Sequence, residues 1–154
     1  MKYIGYARVS TKEQKLDRQE ANIRQFCKEN GIELFKNKVY MEEFTGKTMD
    51  RPVFNVVREI LDTGDTLIVS ELDRLGRSKQ AVMEELHYMR SHNIKLVVLE
   101  IPTTYMVLKL DEQNDLNKML LETINNMLIE MYASFAEAEV RKREERQRQG
   151  MHAM

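Results

Sequence analysis

Four short apolar runs alternate with helix-like segments along the first two thirds of the chain. The runs cover residues 3–8, 34–41, 66–69 and 95–100 and predict β-strands. Between them, apolar side chains at helical spacing predict helices over residues 17–30, 52–64 and 78–92. This order builds a mostly parallel sheet with helices on both faces. The sequence therefore predicts a three-layer α/β/α fold with a sheet of four to five strands.

A different pattern follows Pro102. Residues 103–110 are compatible with either a further short strand or an irregular loop, whereas residues 114–149 contain neither Gly nor Pro and predict one long helix. Its apolar stripe comprises Leu116, Met119, Leu120, Ile124, Met127, Leu128, Met131 and Phe135. At a length of over about 50 Å, this helix exceeds what the α/β domain can cover, so its first half is expected to pack on a partner helix. We divide the chain into an α/β domain, 1–110, and this helix, 111–150.

The composition narrows the class of protein. A net charge of −1, from 24 basic and 25 acidic residues, argues against a protein that coats nucleic acid through overall charge, but not against local basic patches. No apolar run approaches the roughly 20 residues that span a bilayer, and Arg8 interrupts the only candidate signal peptide. The single Cys27 excludes an internal disulfide and a multi-cysteine metal site. We expect a cytoplasmic globular protein without membrane contact.

Arginines and a serine follow three of the predicted strands. Arg8 and Ser10 follow the first strand, Arg51 precedes the helix after the second, and Arg74 and Arg77 follow the third. Because the carboxyl ends of parallel strands share one edge of a sheet, these side chains are expected to converge there. Such a cluster of like charge needs an anion, and the planar guanidinium suits phosphate oxygens.

Taken singly, these residues have ordinary explanations. Arg8 and Ser10 could simply end a strand, Arg74 and Arg77 could form a solvated face, and Tyr6 could be core packing. Only their conjunction favours a phosphate site.

The type of chemistry can also be narrowed. His87 and His92 lie on the third predicted helix, so Ser10 has no evident histidine base and a Ser-His-Asp hydrolase is not favoured. The glycine-rich phosphate loop is missing, since Met41 occupies the position of its first glycine. An arginine-rich site can favour a serine alkoxide and a phosphoryl transition state without a metal or other cofactor.

Three motifs carry a likeness to a known family. "YARVSTKEQ", "DRP" and "LDRLGRS", in this order, resemble the catalytic domain of the serine recombinases (resolvases and DNA invertases), and "AEAEVRKREERQRQG" resembles the end of that domain. The resemblance covers essentially the whole chain. It implies that Ser10 attacks a DNA phosphodiester, giving a 5′-phosphoserine linkage and a free 3′-hydroxyl. Reversal of the attack then rejoins strands without hydrolysis and without a cofactor.

The resemblance also implies roles for the other site residues. Phosphate-binding arginines are matched by Arg8, Arg51, Arg74 and Arg77; supporting positions around the nucleophile are matched by Tyr6, Gln14 and Gln19. Asp73 matches the motif aspartate, which either orders the arginines or manages protons. The family sheet is mixed, so residues 103–110 are expected to hold an antiparallel edge strand.

The long helix has implied partners as well. By resemblance it forms the interface of a homodimer, which can assemble further into a synaptic tetramer, and its basic end crosses the minor groove of double-stranded DNA. The basic residues are Arg141, Lys142, Arg143, Arg146 and Arg148. One departure affects their alignment: the family's Glu-Arg pair is replaced by Glu139-Val140, and Arg141 comes one place later.

A final expectation concerns the end of the chain. The helix-turn-helix domain that usually reads the recombination site does not fit after Gly150, so sequence-specific DNA binding should be weak and full recombination by this fragment is not expected. The alternative function is a non-enzymatic, dimerising fragment that contacts the DNA backbone and modulates a full-length recombinase.

Overall fold

A parallel sheet of four strands lies at the centre of the computed structural model of the chain. The structure describes residues 1–9, 14–43, 51–76, 78–106 and 115–152. The strands are β1 (Tyr3–Val9), β2 (Leu34–Glu43), β3 (Thr66–Val69) and β4 (Lys95–Val98). They lie in the order β2-β1-β3-β4, and every pairing between them is parallel. The predicted α/β order is thereby confirmed.

Helices connect and flank these strands. They are α1 (Gln14–Glu29), α2 (Pro52–Ile60), α3 (Lys79–Ser91), α4 (Thr103–Met106) and α5 (Asp115–His152), with a 3₁₀ turn at Leu72–Arg74 between β3 and α3. Gly31 follows α1 with a φ of +63°, the left-handed conformation that glycine adopts readily after a helix. Helix α2 ends well before Gly64, where the sequence predicted its end, because Leu61 is extended with a ψ of 119°.

The two faces of the sheet are covered by different helices. Alternate strand residues Ala7, Ile68 and Val97 pack with Ile23 and Cys27 of α1. The intervening residues pack against the other helices in a larger cluster that includes Ile4, Tyr6, Leu67, Val69, Val98, Phe54, Val57, Val82 and Leu86. Because successive strand side chains point to opposite faces, a sheet buried on both sides reads as continuous apolar runs. The three-layer prediction is confirmed.

The segment after Pro102 differs from expectation. Residues Thr103–Met106 form the helix α4, so the expected edge strand is wrong for this part, and residues 107–110 lie outside the described ranges. Proline favours the start of a helical turn, and the N–H groups of Tyr105 and Met106 both donate to the Pro102 carbonyl. The Thr104 hydroxyl also accepts a hydrogen bond from the Val98 N–H at 2.9 Å and lies 3.0 Å from the Val98 carbonyl.

Helix α5 presents one face to the core and another to the outside. Ile129 and Ala133 are buried in the larger cluster, and Leu128 packs against it. The remaining residues of the predicted stripe are exposed: Leu116, Met119, Leu120, Ile124, Met127, Met131 and Phe135. The predicted domain boundary between residues 110 and 111 lies outside the described ranges. Within those ranges, no helix has both the length and the apolar character to cross a bilayer.

Candidate active site

The carboxyl ends of β1, β2 and β3 lie side by side. Arg8 of β1 is paired in register with Glu42 of β2, and Tyr6 of β1 is paired with Val69 at the end of β3. The 3₁₀ turn that contains Arg74 begins only a few residues beyond β3. The topology therefore brings the predicted arginine-bearing segments to one edge of the sheet, as ligand sites in open α/β sheets require.

Arg8 is held through its backbone by Gln19. The Arg8 N–H donates to Gln19 Oε1 at 3.2 Å, and Gln19 Nε2 donates to the Arg8 carbonyl at 3.1 Å. Only 7% of Arg8 is exposed, although it lies at the end of a strand. The predicted supporting residue Gln19 thus fixes the backbone that carries Arg8 by bonding it from α1.

Tyr6 is linked to a buried carboxylate. Its hydroxyl donates to Glu42 Oε2, and Glu42 Oε1 accepts from the Val53 N–H, at the start of α2, at 3.0 Å. Burial raises the pKa of the Tyr6 hydroxyl above its ordinary value, and the hydrogen bond to Glu42 raises it further. Tyr6 is therefore a protonated donor in this site.

Sequence reasoning missed Glu42 as a site residue. Glu42 is 2% exposed and bonds both Tyr6 and α2. An acidic residue at the end of a predicted strand was the available signal, since carboxylates stabilise helix N-termini nearby. Among the described residues, no group of three or more His, Cys, Asp or Glu side chains is arranged to hold a metal ion.

Arg51 bridges α2 and the segment after β3. Its two terminal nitrogens donate to the carbonyls of Leu75, at 2.6 Å, and Arg74, at 2.9 Å. The guanidinium carbon lies 4.0 Å from the centre of the Phe54 ring and 5.8 Å from that of Tyr6. The planar guanidinium can donate along its edge and stack on its face at once.

The arginine loop, defined here as residues Leu72–Gly76, is closely packed. Arg74 donates to Glu71 Oε2 at 3.0 Å, and Leu75 is fully buried. A Cβ added to Gly76 would lie 2.7 Å from the Ala81 Cβ, so this glycine allows the loop to approach α3. Ser78 then begins α3 by accepting the Ala81 N–H at 3.1 Å.

Four predicted catalytic residues are described only in part or not at all. Ser10 and Arg77 lie outside the described ranges, and only the backbone is described for Gln14, the first residue of α1, and Asp73, in the 3₁₀ turn. Of the others, Tyr6, Arg51 and Arg74 are joined by contacts with one another. Arg8 is paired across the sheet with Glu42, which bonds Tyr6. The proposed roles of all these residues remain predictions.

The predicted DNA-contacting residues lie on the last turns of α5. Arg141, Lys142, Arg143, Arg146 and Arg148 are all exposed on a continuous helix. This segment extends well past Ala133, which lies in the core cluster. Its position leaves the basic side chains accessible to a large polyanion.

Comparison with known proteins gives a consistent result. The family model "Resolvase, N terminal domain" matches residues 3–154. A resolvase of Escherichia coli is 30% identical over 147 residues, which make up 95% of this chain and 65% of that protein. The Transposon Tn552 DNA-invertase BinR of Staphylococcus aureus is 29% identical over 136 residues, 88% of this chain and 60% of that protein. The chain thus spans less than two thirds of the length of either relative.

Solved structures share the fold. A resolvase family site-specific recombinase from Streptococcus pneumoniae superposes with a TM-score of 0.53 at 22% identity, covering 99% of this chain and 97% of that one. The N-terminal catalytic domain of TP901-1 integrase gives a TM-score of 0.52 at 22% identity, covering 85% and 98% of the two chains.

Proposed function

The chain belongs to the resolvase N-terminal domain family, and on that premise we propose that it is the catalytic part of a site-specific DNA recombinase acting in the cytoplasm. Ser10 Oγ forms a bond to a DNA phosphorus while the bond from that phosphorus to the 3′ oxygen breaks. The serine hydroxyl loses its proton and the departing oxygen gains one. The resulting 5′-phosphoserine ester keeps the phosphate activated, so the reverse attack by a 3′-hydroxyl rejoins DNA.

One observation carries the proposal: a continuous set of contacts joins the ends of three strands. It runs from Tyr6 to Glu42, from Glu42 to the start of α2, and from Arg51 to the arginine loop. Catalysis of phosphoryl transfer depends on groups held in place around the reacting phosphate before reaction. This arrangement supports a site whose arginines are fixed by the fold.

The state of Tyr6 supports serine rather than tyrosine as the nucleophile. A buried phenol with a raised pKa that donates to Glu42 is poorly suited to attack phosphorus. In the proposed reaction, Arg8, Arg74 and Arg77 stabilise the negative charge that spreads over the phosphoryl oxygens.

Helix α5 supports the proposed partners. Its exposed apolar stripe from Leu116 to Phe135 extends about 28 Å along the helix, and a second copy of the chain would bury it. The basic end of α5 would then contact the DNA backbone. A homodimer that pairs into a synaptic tetramer brings together the four strands exchanged in recombination.

The test is capture of a covalent protein–DNA adduct. The chain is incubated at low salt with a library of randomised duplexes, denatured, and assayed for DNA that stays attached to protein. The wild-type chain should form an adduct and Ser10→Ala should form none, whereas Thr11→Ala, a hydroxyl-removing control at the next residue, should keep it. An adduct in Ser10→Ala, or none in a wild-type chain that has bound DNA, overturns the proposal.

A second candidate, the non-enzymatic DNA-binding fragment, is favoured by the exposed basic end of α5. It predicts that Ser10→Ala binds DNA as the wild-type chain does and that neither forms an adduct. Both candidates predict salt-sensitive binding, and loss of one phosphate contact in Arg146→Gln should lower the salt slope by about one. Lys38→Gln, at an exposed lysine of β2, is the control. The adduct assay therefore separates the two candidates.

A further inference from the structure

We propose that Phe54 is a positioning residue of the candidate site, which acts through Arg51 on the arginine loop. The effect of Phe54 on catalysis rests on the proposed function. The contact of Phe54 with Arg51, and of Arg51 with the arginine loop, does not. Phe54 lies on α2, between the Tyr6 ring and the Arg51 guanidinium, and its sequence position gives no hint of a role in the site.

The Phe54 ring is fixed on both sides. Its centre lies 5.1 Å from that of Tyr6, with an edge-to-face angle of 62°, and the Arg51 guanidinium carbon lies 4.0 Å from it. Only 3% of Phe54 is exposed. Edge-to-face packing and a cation over a ring face are both favourable geometries, so the ring favours this position of the guanidinium.

Arg51 depends on that ring for its orientation. Its Nε is buried and has no hydrogen-bond partner among the described residues. The guanidinium is directed by the ring, by the two carbonyls it bonds and by its electrostatic interaction with the Tyr6 hydroxyl. Without the ring face, the flexible Arg51 side chain would lose a contact that restricts its rotation, and its two hydrogen bonds to the loop would be weaker.

Arg51 bonds the carbonyls of Arg74 and Leu75, and so contacts the backbone that carries the Arg74 side chain. Residues Leu72–Arg74 of the loop form a single 3₁₀ turn. There the Arg74 N–H donates to the Glu71 carbonyl at 3.2 Å and the Leu75 N–H donates to the Leu72 carbonyl at 3.1 Å. Short 3₁₀ turns have poor hydrogen-bond geometry and gain little stability on their own. Two further bonds from Arg51 therefore hold the Arg74 backbone where the proposed chemistry needs it.

The first experiment measures the loop in the DNA-free chain by hydrogen exchange. Phe54→Leu keeps an apolar side chain but removes the ring face, and Arg51→Lys keeps the charge but removes the planar fork whose two nitrogens each bond one carbonyl. Both should speed exchange of the Arg74 and Leu75 amides by about 10-fold relative to the amides of β3. Val57→Ala, which removes core volume from the same face of α2, is the matched control and should not change this ratio.

The second experiment uses the adduct assay. Phe54→Leu should slow adduct formation by about 10-fold and leave the Kd for the randomised duplexes unchanged, whereas Val57→Ala at equal stability should not slow it. Unchanged loop exchange in Phe54→Leu, or an equal change in Val57→Ala, overturns the inference. Failure of wild-type adduct formation would instead overturn the proposed function, because the exchange result is obtained without DNA.

Discussion

The hydroxyl of Tyr6 donates to the carboxylate of Glu42, a residue that is buried beside the arginines of the candidate site. The same carboxylate accepts an N–H from the first turn of α2. A buried carboxylate with two donors fixes the relative positions of β1, β2 and α2, and several measurable consequences follow from such contacts.

Glu42→Gln should destabilise the chain. A glutamine offers one acceptor oxygen and one NH₂ group, so either the Tyr6 hydroxyl proton or the Val53 N–H would lose its buried acceptor, at a cost of about 1–3 kcal/mol. Glu43→Gln, the same change at the exposed next residue, is the control and should be nearly neutral. Urea unfolding measures both, and equal stabilities of the two variants would contradict the role assigned to Glu42.

Gly76→Ala should disturb the arginine loop. The new Cβ would meet the Ala81 Cβ at 2.7 Å and the Val82 nitrogen at 3.0 Å, so the loop and α3 must separate. Overpacking of this kind typically costs about 1–3 kcal/mol. Gly150→Ala, whose Cβ meets nothing within 4 Å, is the control. The free energies of unfolding of the two variants should differ; a neutral Gly76→Ala would show that the loop yields easily.

Asp65 should make stability depend on acid pH. It accepts the N–H groups of Lys2 and Asp62, each at 2.8 Å, and lies 3.0 Å from the Lys2 ammonium. Burial opposes the charged form, but these contacts hold the pKa of Asp65 below its ordinary value of 3.8. Since the folded-state pKa is the lower one, the stabilisation is complete above the unfolded-state pKa and is lost as the pH falls through the folded-state pKa.

The corresponding measurement compares Asp65→Asn with the wild type across pH. At about pH 7 the variant should lose about 1–3 kcal/mol, and the difference should shrink as the pH falls below 3.8. Asp62→Asn is the control, because its exposed side chain forms an ion pair with the Lys2 ammonium at the surface and should contribute under about 1 kcal/mol. A difference that does not vary with pH would contradict this assignment.

Met127→Asp should prevent self-association through α5. The side chain is 62% exposed in the middle of the apolar stripe, where a second copy would place a charge in an apolar interface. Asn126→Asp introduces the same carboxylate at the exposed neighbouring position, about 100° round the helix. Sedimentation velocity should show dimers for the wild type and the control, and monomers for Met127→Asp; a wild-type monomer at high concentration would contradict the proposed dimer.

The sequence predicted the alternation of strands and helices and the mostly parallel sheet, because both follow from local apolar patterns and from the geometry of parallel sheets. From the same geometry it predicted that Arg8, Arg51 and Arg74 lie at the edge where the carboxyl ends of the strands meet, and their roles there stay predictions. It did not predict the parts played by Glu42 and Phe54, since each depends on contacts with residues from other elements: Tyr6 and Val53 for the first, Arg51 and Tyr6 for the second.

The expectation for residues 103–106 failed for a related reason. Apolar and β-branched residues there suit a strand, but the turn starting at Pro102 and the bonds of Thr104 to β4 decide the conformation. These contacts depend on Pro102 and Thr104 individually and leave no periodic pattern in the sequence.

The Thr104 hydroxyl also affects how the molecule behaves in solution. Sheets that end in unpaired amides and carbonyls can recruit strands from other molecules, which leads to aggregation. By bonding the N–H and lying close to the carbonyl of Val98, Thr104 occupies the groups that an incoming strand would need at this end of β4. One small side chain thus helps keep β4, the outer strand within the described part of the chain, from pairing with a strand of another molecule.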